Sequence, residues 1–304
     1  MKRTLVLAMT GLALAAFVTP VAAEPVATTT ATIHQAATTA DAARAVTAFW
    51  TPERMRSAQP LDLLPVAPNA LREVPSGLPQ VVPGVQSFPN GGAAWTGGGA
   101  VTRTAGRVFF TYQGRTASCS GDAVTSTNKS TVVTAGHCVK LDGAFHTNWA
   151  FAPGYDNGST PYGTWTARAT MATPQWVASE DINYDVGAAV VNQLNGQSLT
   201  DVVGSQGIAF NQARGQSMYA FGYPAAAPYD GTKLIYCSGT VFNDFLLSQG
   251  IGMTCNQTGG ASGGPWFLSF NEATGTGVQN SVNSFKYNFF PNWMFGPYFG
   301  TDAQ

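Results

Sequence analysis

The sequence predicts an all-β fold, a barrel or a sandwich, over roughly residues 101–304, and three observations predict it. Short runs rich in Val, Phe, Tyr and Thr recur at 108–112, 131–135, 186–191, 217–221, 234–236 and 278–287. Such β-branched and aromatic residues suit a pleated, half-buried surface. Glycine, 34 of 304 residues, punctuates the intervals together with Asn, Asp and Pro, as tight turns require. No long amphipathic helical pattern occurs in this stretch, and strands without alternating helices build barrels or sandwiches.

Composition sets the outer bounds. Hydrophobic residues make up 44% and charged residues 10% of the chain, enough for a sizeable core and unlike a disordered polypeptide. The formal net charge of -1 provides no electrostatic footprint for nucleic acid. No internal repeat appears at a solenoid period.

The first hundred residues differ in texture. Lys2 and Arg3 precede an apolar run over 5–18, and Val21-Ala22-Ala23 offers small residues for cleavage, the pattern of an export signal over 1–23. The run is short for a membrane span, and Pro20 follows it. Residues 26–48 are dominated by Ala and Thr, with a helix predicted over 36–50; a Pro-rich stretch, 60–89, and a Gly-rich one, 90–100, follow. A helix and a Pro/Gly connector ahead of a β-rich remainder read as a pro-segment, 24–100, removed during maturation.

Export makes the cysteines informative, because oxidising compartments favour disulfides. Four cysteines allow three connectivities. Proximity favours Cys119–Cys138 and Cys237–Cys255, each closing a loop of about twenty residues and worth about 3 kcal/mol. There is no CxxC or HExxH pattern, and the three histidines, His34, His137 and His146, do not space like a zinc site.

Three local motifs carry chemistry. Thr134-Ala135-Gly136-His137-Cys138 closes an apolar run; Asp185 opens the run Val186-Gly187-Ala188-Ala189-Val190-Val191; and Gly259-Gly260-Ala261-Ser262-Gly263-Gly264-Pro265 places a serine in a Gly-rich turn. A serine hydroxyl becomes nucleophilic when a base takes its proton, a role open to His137, and an acid such as Asp185 fixes the imidazole tautomer. Asp181, four residues before Asp185, either caps a turn or serves as the acid; Asp201 lies further away, and His146 competes with His137 as base. Gly260 to Gly264 also fits the GxSxG elbow of α/β-hydrolases. Those enzymes place their histidine after the serine, and none follows Ser262 here.

On these motifs, the sequence over about 101–304 resembles the chymotrypsin/trypsin-like serine peptidases, especially the bacterial (actinobacterial) secreted trypsin-like and glutamyl-endopeptidase-like branch. The resemblance implies two six-stranded antiparallel β-barrels, over 101–195 and 196–304, with the active site in the cleft between them. It implies His137, Asp185 and Ser262 as the catalytic triad and the N–H groups of Gly260 and Ser262 as the oxyanion hole. It places Asn256 at the base of the substrate pocket and Ser284-Phe285 on the strand that binds substrate backbone. The class further implies a secreted, extracellular and monomeric endopeptidase acting on protein or peptide substrates. No cofactor, metal or nucleic acid is expected, and no membrane contact once the signal is removed.

The match departs from the family at Ala261, where many members carry an Asp that pairs with a freed N-terminus. Asn256 is neutral, so a preference for Lys or Arg is not supported, and Lys286 reads as a solvated charge more readily than as an acid-binding one. A non-catalytic binding protein on the same fold and an ester-preferring hydrolase are the alternatives.

Overall fold

The computed structural model describes residues 30–61, 64, 74, 76–82, 94–95 and 98–304. The expected export signal, 1–23, and most of the Pro-rich and Gly-rich connector lie outside the described residues.

Six strands make the first barrel: β1 (Ala105–Tyr112), β2 (Arg115–Val124), β3 (Thr131–Thr134), β4 (Thr147–Pro153), β5 (Trp165–Ala172) and β6 (Gly187–Val191). They pair antiparallel in the order β4-β1-β2-β3-β6-β5, and β5 returns to β4 through Trp165↔Phe151, which closes the ring. Strand β1 shows why its sequence is apolar on consecutive residues. Val108 and Phe110 join the core that fills this barrel, whereas Phe109 faces a second cluster with Trp50, Tyr155 and Phe221. A strand covered on both faces loses the polar alternation of a half-exposed one.

The second barrel uses β7 (Ser217–Gly222), β8 (Ile235–Thr240), β9 (Ile251–Thr254), β10 (Pro265–Asn271), β11 (Thr276–Val282) and β12 (Trp293–Gly296). One sheet runs β8-β7-β10-β11 and continues through Gly207–Phe210, which pairs in parallel with β11, to Gln80–Val82; the other pairs β9 with β12. Two continuations join them: β8 leads into Phe242–Asn243, which pairs with β9, and β11 leads to Phe285, which bridges to Phe295 of β12. Met218, Ile251, Met253, Trp266 and Met294 fill its interior. Beyond residue 100 the α-helices are short turns, Val101–Thr104, Pro174–Ser179 and Leu199–Val203, in keeping with the all-β expectation. Both disulfides favoured by proximity are present, Cys119–Cys138 in the first barrel and Cys237–Cys255 in the second.

The N-terminal segment is built onto the barrels. Strand Thr32–Gln35 pairs antiparallel with β5, from Thr32↔Ala172 to Gln35↔Ala169. Helix α1 (Ala40–Phe49) starts later than the Ala-rich pattern suggests, because the Thr39 hydroxyl accepts the Ala42 N–H at 3.1 Å and fixes the N-cap there. Helix α2 (Pro52–Ser57) has Pro in its first turn, where a missing N–H costs nothing. Trp50 between the helices, Met55 within α2 and Ala58 after it are buried in the second cluster, and the Trp50 indole donates to the Asn148 carbonyl at 2.7 Å.

Candidate active site

The register of β3 against β6 brings the first two motifs together. Gly187 pairs with Thr134, so the residues just outside each strand, the turn Gly136–Cys138 and Asp185, face one another. His137 Nδ1 lies 2.7 Å from Asp185 Oδ2, and the His137 main-chain N–H donates to Asp185 Oδ1, also at 2.7 Å. The Ser284 hydroxyl donates to Asp185 Oδ2 at 2.5 Å. Three donors thus hold one fully buried carboxylate, the arrangement that stabilises a charge away from water. The Asp181 side chain accepts the Asn183 N–H at 3.1 Å and caps the turn Ile182–Tyr184. Asp201 pairs with Lys129 at 2.9 Å on the exposed surface.

His146 is a structural histidine. Its ring stacks on Phe110 at 4.3 Å, and its Nε2–H donates to the His137 carbonyl at 2.9 Å, which ties it to the backbone of the His137 turn. Burial lowers its pKa from 6.5 to about 4. The folded state therefore takes up this proton less readily than the unfolded chain. Stability from this residue is complete above about pH 6.5 and is lost as pH falls towards about 4, by about 3 kcal/mol at most. In Ser262→Ala protein, a His146→Gln replacement is expected to flatten the fall of the urea midpoint between neutral and mildly acidic pH. An unchanged slope would show that another group carries it.

Ser262 comes from the second barrel, in the turn between β9 and β10. Strand β2 of the first barrel holds this turn through Ser120: its N–H donates to the Ser262 carbonyl at 2.7 Å, and its hydroxyl donates to the Gly260 carbonyl at 2.9 Å. Thr134, three residues before His137, donates its hydroxyl to the Ser120 carbonyl at 2.8 Å. Gly263 has φ +78°, and a methyl group there would lie 2.0 Å from Thr134 Oγ1, so only glycine permits this approach. His137 Nε2 and Ser262 Oγ are both buried without a hydrogen-bond partner among the described residues.

The turn is ordered without an ion pair at Ala261. The amide of buried Asn283 donates to the carbonyls of Ala261 at 3.0 Å and Phe221 at 2.8 Å, and the Gly263 N–H donates to the Asn283 carbonyl at 2.7 Å. Ser120 and Asn283 are positioning residues that sequence reading passes over. Neither stands in a motif, and each acts on residues distant in the chain.

Phe285 is buried and stacks on Phe295 at 5.2 Å, with its N–H and that of Ser284 directed to the Phe295 carbonyl. Asn256 is exposed, and its Oδ1 accepts the Tyr229 hydroxyl at 2.8 Å. Lys286 is not freely solvated: Nζ donates to the carbonyls of Cys255 at 2.9 Å and Pro291 at 2.5 Å, and burial lowers its pKa to about 8.

No family model matches the chain. Over 85 residues it is 39% identical to an "Extracellular metalloprotease" of Bacillus subtilis (strain 168), a match covering 28% of this chain and 26% of that protein. The chain thus spans about a quarter of that curated relative. A metalloprotease needs a set of side chains able to hold a metal ion. Among the described residues, Cys119, His137 and Cys138 are the one cluster of suitable type. The two sulfurs are bonded to each other and His137 Nδ1 is engaged by Asp185, so the set does not fit a metal ion.

Solved structures match over more of the chain. Protease Anisep from Arthrobacter nicotinovorans is 50% identical, with 66% of this chain and 92% of that one covered and a TM-score of 0.63. A thermostable serine protease, AL20, from an extremophilic microorganism is 45% identical, with 67% and 95% covered and a TM-score of 0.64. A Glu endopeptidase at 16% identity, with 72% and 93% covered and a TM-score of 0.51, shares the fold. Identity at this level across nearly the whole of two proteases, on a pair of six-stranded barrels, decides the family: the chain belongs to the chymotrypsin/trypsin-like serine endopeptidases.

Proposed function

We propose that this protein is a secreted endopeptidase, made as a precursor, that hydrolyses peptide bonds with Ser262 as nucleophile, His137 as base and Asp185 as the acid that orients it. The observation carrying this reading is the His137–Asp185 pair. With Nδ1–H donated to Asp185 at 2.7 Å, the neutral ring presents Nε2 as its free, proton-accepting nitrogen. Ser262 would attack the scissile carbonyl while His137 Nε2 takes its proton. The carbonyl oxygen, now an anion, would be received by the N–H groups of Gly260 and Ser262, each such donor contributing about 3 kcal/mol. His137 then protonates the departing amine, leaving an acyl-enzyme on Ser262 that water hydrolyses by the reverse sequence.

The same reading assigns residues 1–23 to an export signal, 24–100 to a pro-segment, and 101–195 and 196–304 to the two barrels of a mature monomer. Ser284 and Phe285 would border the bound substrate backbone, and Asn256 would lie at the base of its side-chain pocket. No helix of the described residues is long and apolar enough to cross a membrane.

Labelling of matured protein with a fluorophosphonate tests the assignment. The parent is expected to label, and Ser262→Ala and His137→Ala variants are expected not to. A folded, matured parent that stays unlabelled would overturn catalysis and leave a binding protein on this fold.

A further inference from the structure

A segment far upstream of the barrels reaches the residues just assigned to catalysis. Gln59 and Pro60 pair in parallel with β2, at Gln59↔Ala117 and Pro60↔Ser118. The Leu61 N–H donates to the Ser118 carbonyl at 3.1 Å, and the Leu61 carbonyl accepts the N–H of Gly260 at 3.2 Å. Leu64 then bridges Phe285, again in the parallel sense. Leu61 and Leu64 are both 8% exposed and belong to one core cluster with Phe285 and Tyr287. The chain thus touches both barrels within six residues.

The contact at Gly260 is chemically specific. Its N–H is the group that the proposed mechanism needs for a peptide carbonyl becoming an oxyanion, and here a peptide carbonyl of the chain itself occupies it. His137 and Ser262 have no exposed surface in this arrangement, 0% each. Upstream anchors hold the segment in place: Trp50, Met55 and Ala58 are buried against the barrels, and Thr32–Gln35 is hydrogen-bonded along β5. Tethering of this kind keeps the local concentration of the segment high without demanding that six residues bind tightly alone.

We infer that Gln59, Pro60, Leu61 and Leu64 act as an intramolecular inhibitor: they seat the Leu61 carbonyl on the oxyanion-hole donor, bury Leu61 and Leu64 against both barrels, and must leave before substrate can enter. This rests on the assignment of Ser262 and Gly260 above. The partner this surface fits is therefore an extended peptide with apolar residues three apart, and the first such partner is the protein's own pro-segment. Its displacement supplies the control that an Asp in place of Ala261 would give through a freed N-terminus.

The test compares fluorophosphonate labelling of full-length precursor with protein matured from the same folded precursor, reading the two bands separately. The precursor is expected to label about 100-fold more slowly, corresponding to an occluded-to-open ratio of roughly 99:1. A Leu61→Asp/Leu64→Asp precursor should recover at least about ten-fold of that rate. Should this variant fold poorly, a synthetic peptide of residues 50–64 added to matured protein gives an independent reading, and it is expected to slow labelling competitively. Precursor labelling as fast as matured protein, or matured protein indifferent to millimolar peptide, overturns the inference while leaving the catalytic assignment standing. If neither form labels, both fall.

Discussion

Replacing Ser262 with alanine is expected to lower kcat for peptide hydrolysis by matured protein about a million-fold, with little change in thermal stability. The two parts of this expectation have separate causes. Ser262 Oγ makes no hydrogen bond among the described residues, so its removal breaks nothing that supports the fold. The turn around it is held by backbone and neighbours, through Ser120 on one side and Asn283 on the other. The hydroxyl and the His137 ring act as one unit, so His137→Ala should cost about as much and the double replacement scarcely more. Steady-state kinetics beside a melting curve checks both parts. Losses that multiply in the double variant would mean that the two residues do not work together.

Asp185→Asn should lower kcat about ten-thousand-fold while preserving the geometry. Both carboxylate oxygens are engaged by donors: the His137 main-chain N–H on one, and the His137 ring and the Ser284 hydroxyl on the other. An amide can supply only one acceptor oxygen. If that oxygen keeps the main-chain bond, the amide nitrogen faces Nδ1, and the imidazole must accept there and carry its proton on Nε2. The ring then points a donor at Ser262 and cannot take a proton from it. Peptide kinetics and an imidazole proton resonance would report the two halves of this effect. Full activity in the Asp185→Asn variant would show that the ring orientation needs no charged acid.

How much of this was legible in the sequence depends on distance along the chain. The motif at His137 and the turn at Ser262 are local, and so is the difference between Asp185, which precedes an apolar strand, and Asp181, which caps a turn. Strands such as β1, β6 and β7 announce themselves in Val, Phe and Tyr. Strand β2, Arg115–Val124, does not: its Ala, Ser, Cys and Gly are small because neighbouring strands and the Ser262 turn press on it from several sides. Nor does the sequence reveal that Ser284 serves Asp185, 99 residues away, since such a pairing exists only once both barrels have formed. Lys286 illustrates the converse, a charge expected in water that folding places on two carbonyls. Residues 59–61 begin a stretch that composition describes only as Pro-rich connector.

The strand Thr32–Gln35 carries one more implication. A closed barrel offers no open margin to other chains, but β5 runs past its partner β4, which it meets only at Trp165 and Thr166, and the N-terminal strand lies along the portion from Ala169 to Ala172. Loss of residues 24–100 would strip that cover and bare a row of main-chain donors and acceptors, the usual seed of sheet-to-sheet aggregation. The proposed pro-segment would then have a second task, shielding the nascent barrel from its neighbours until the protein has left a crowded site of synthesis.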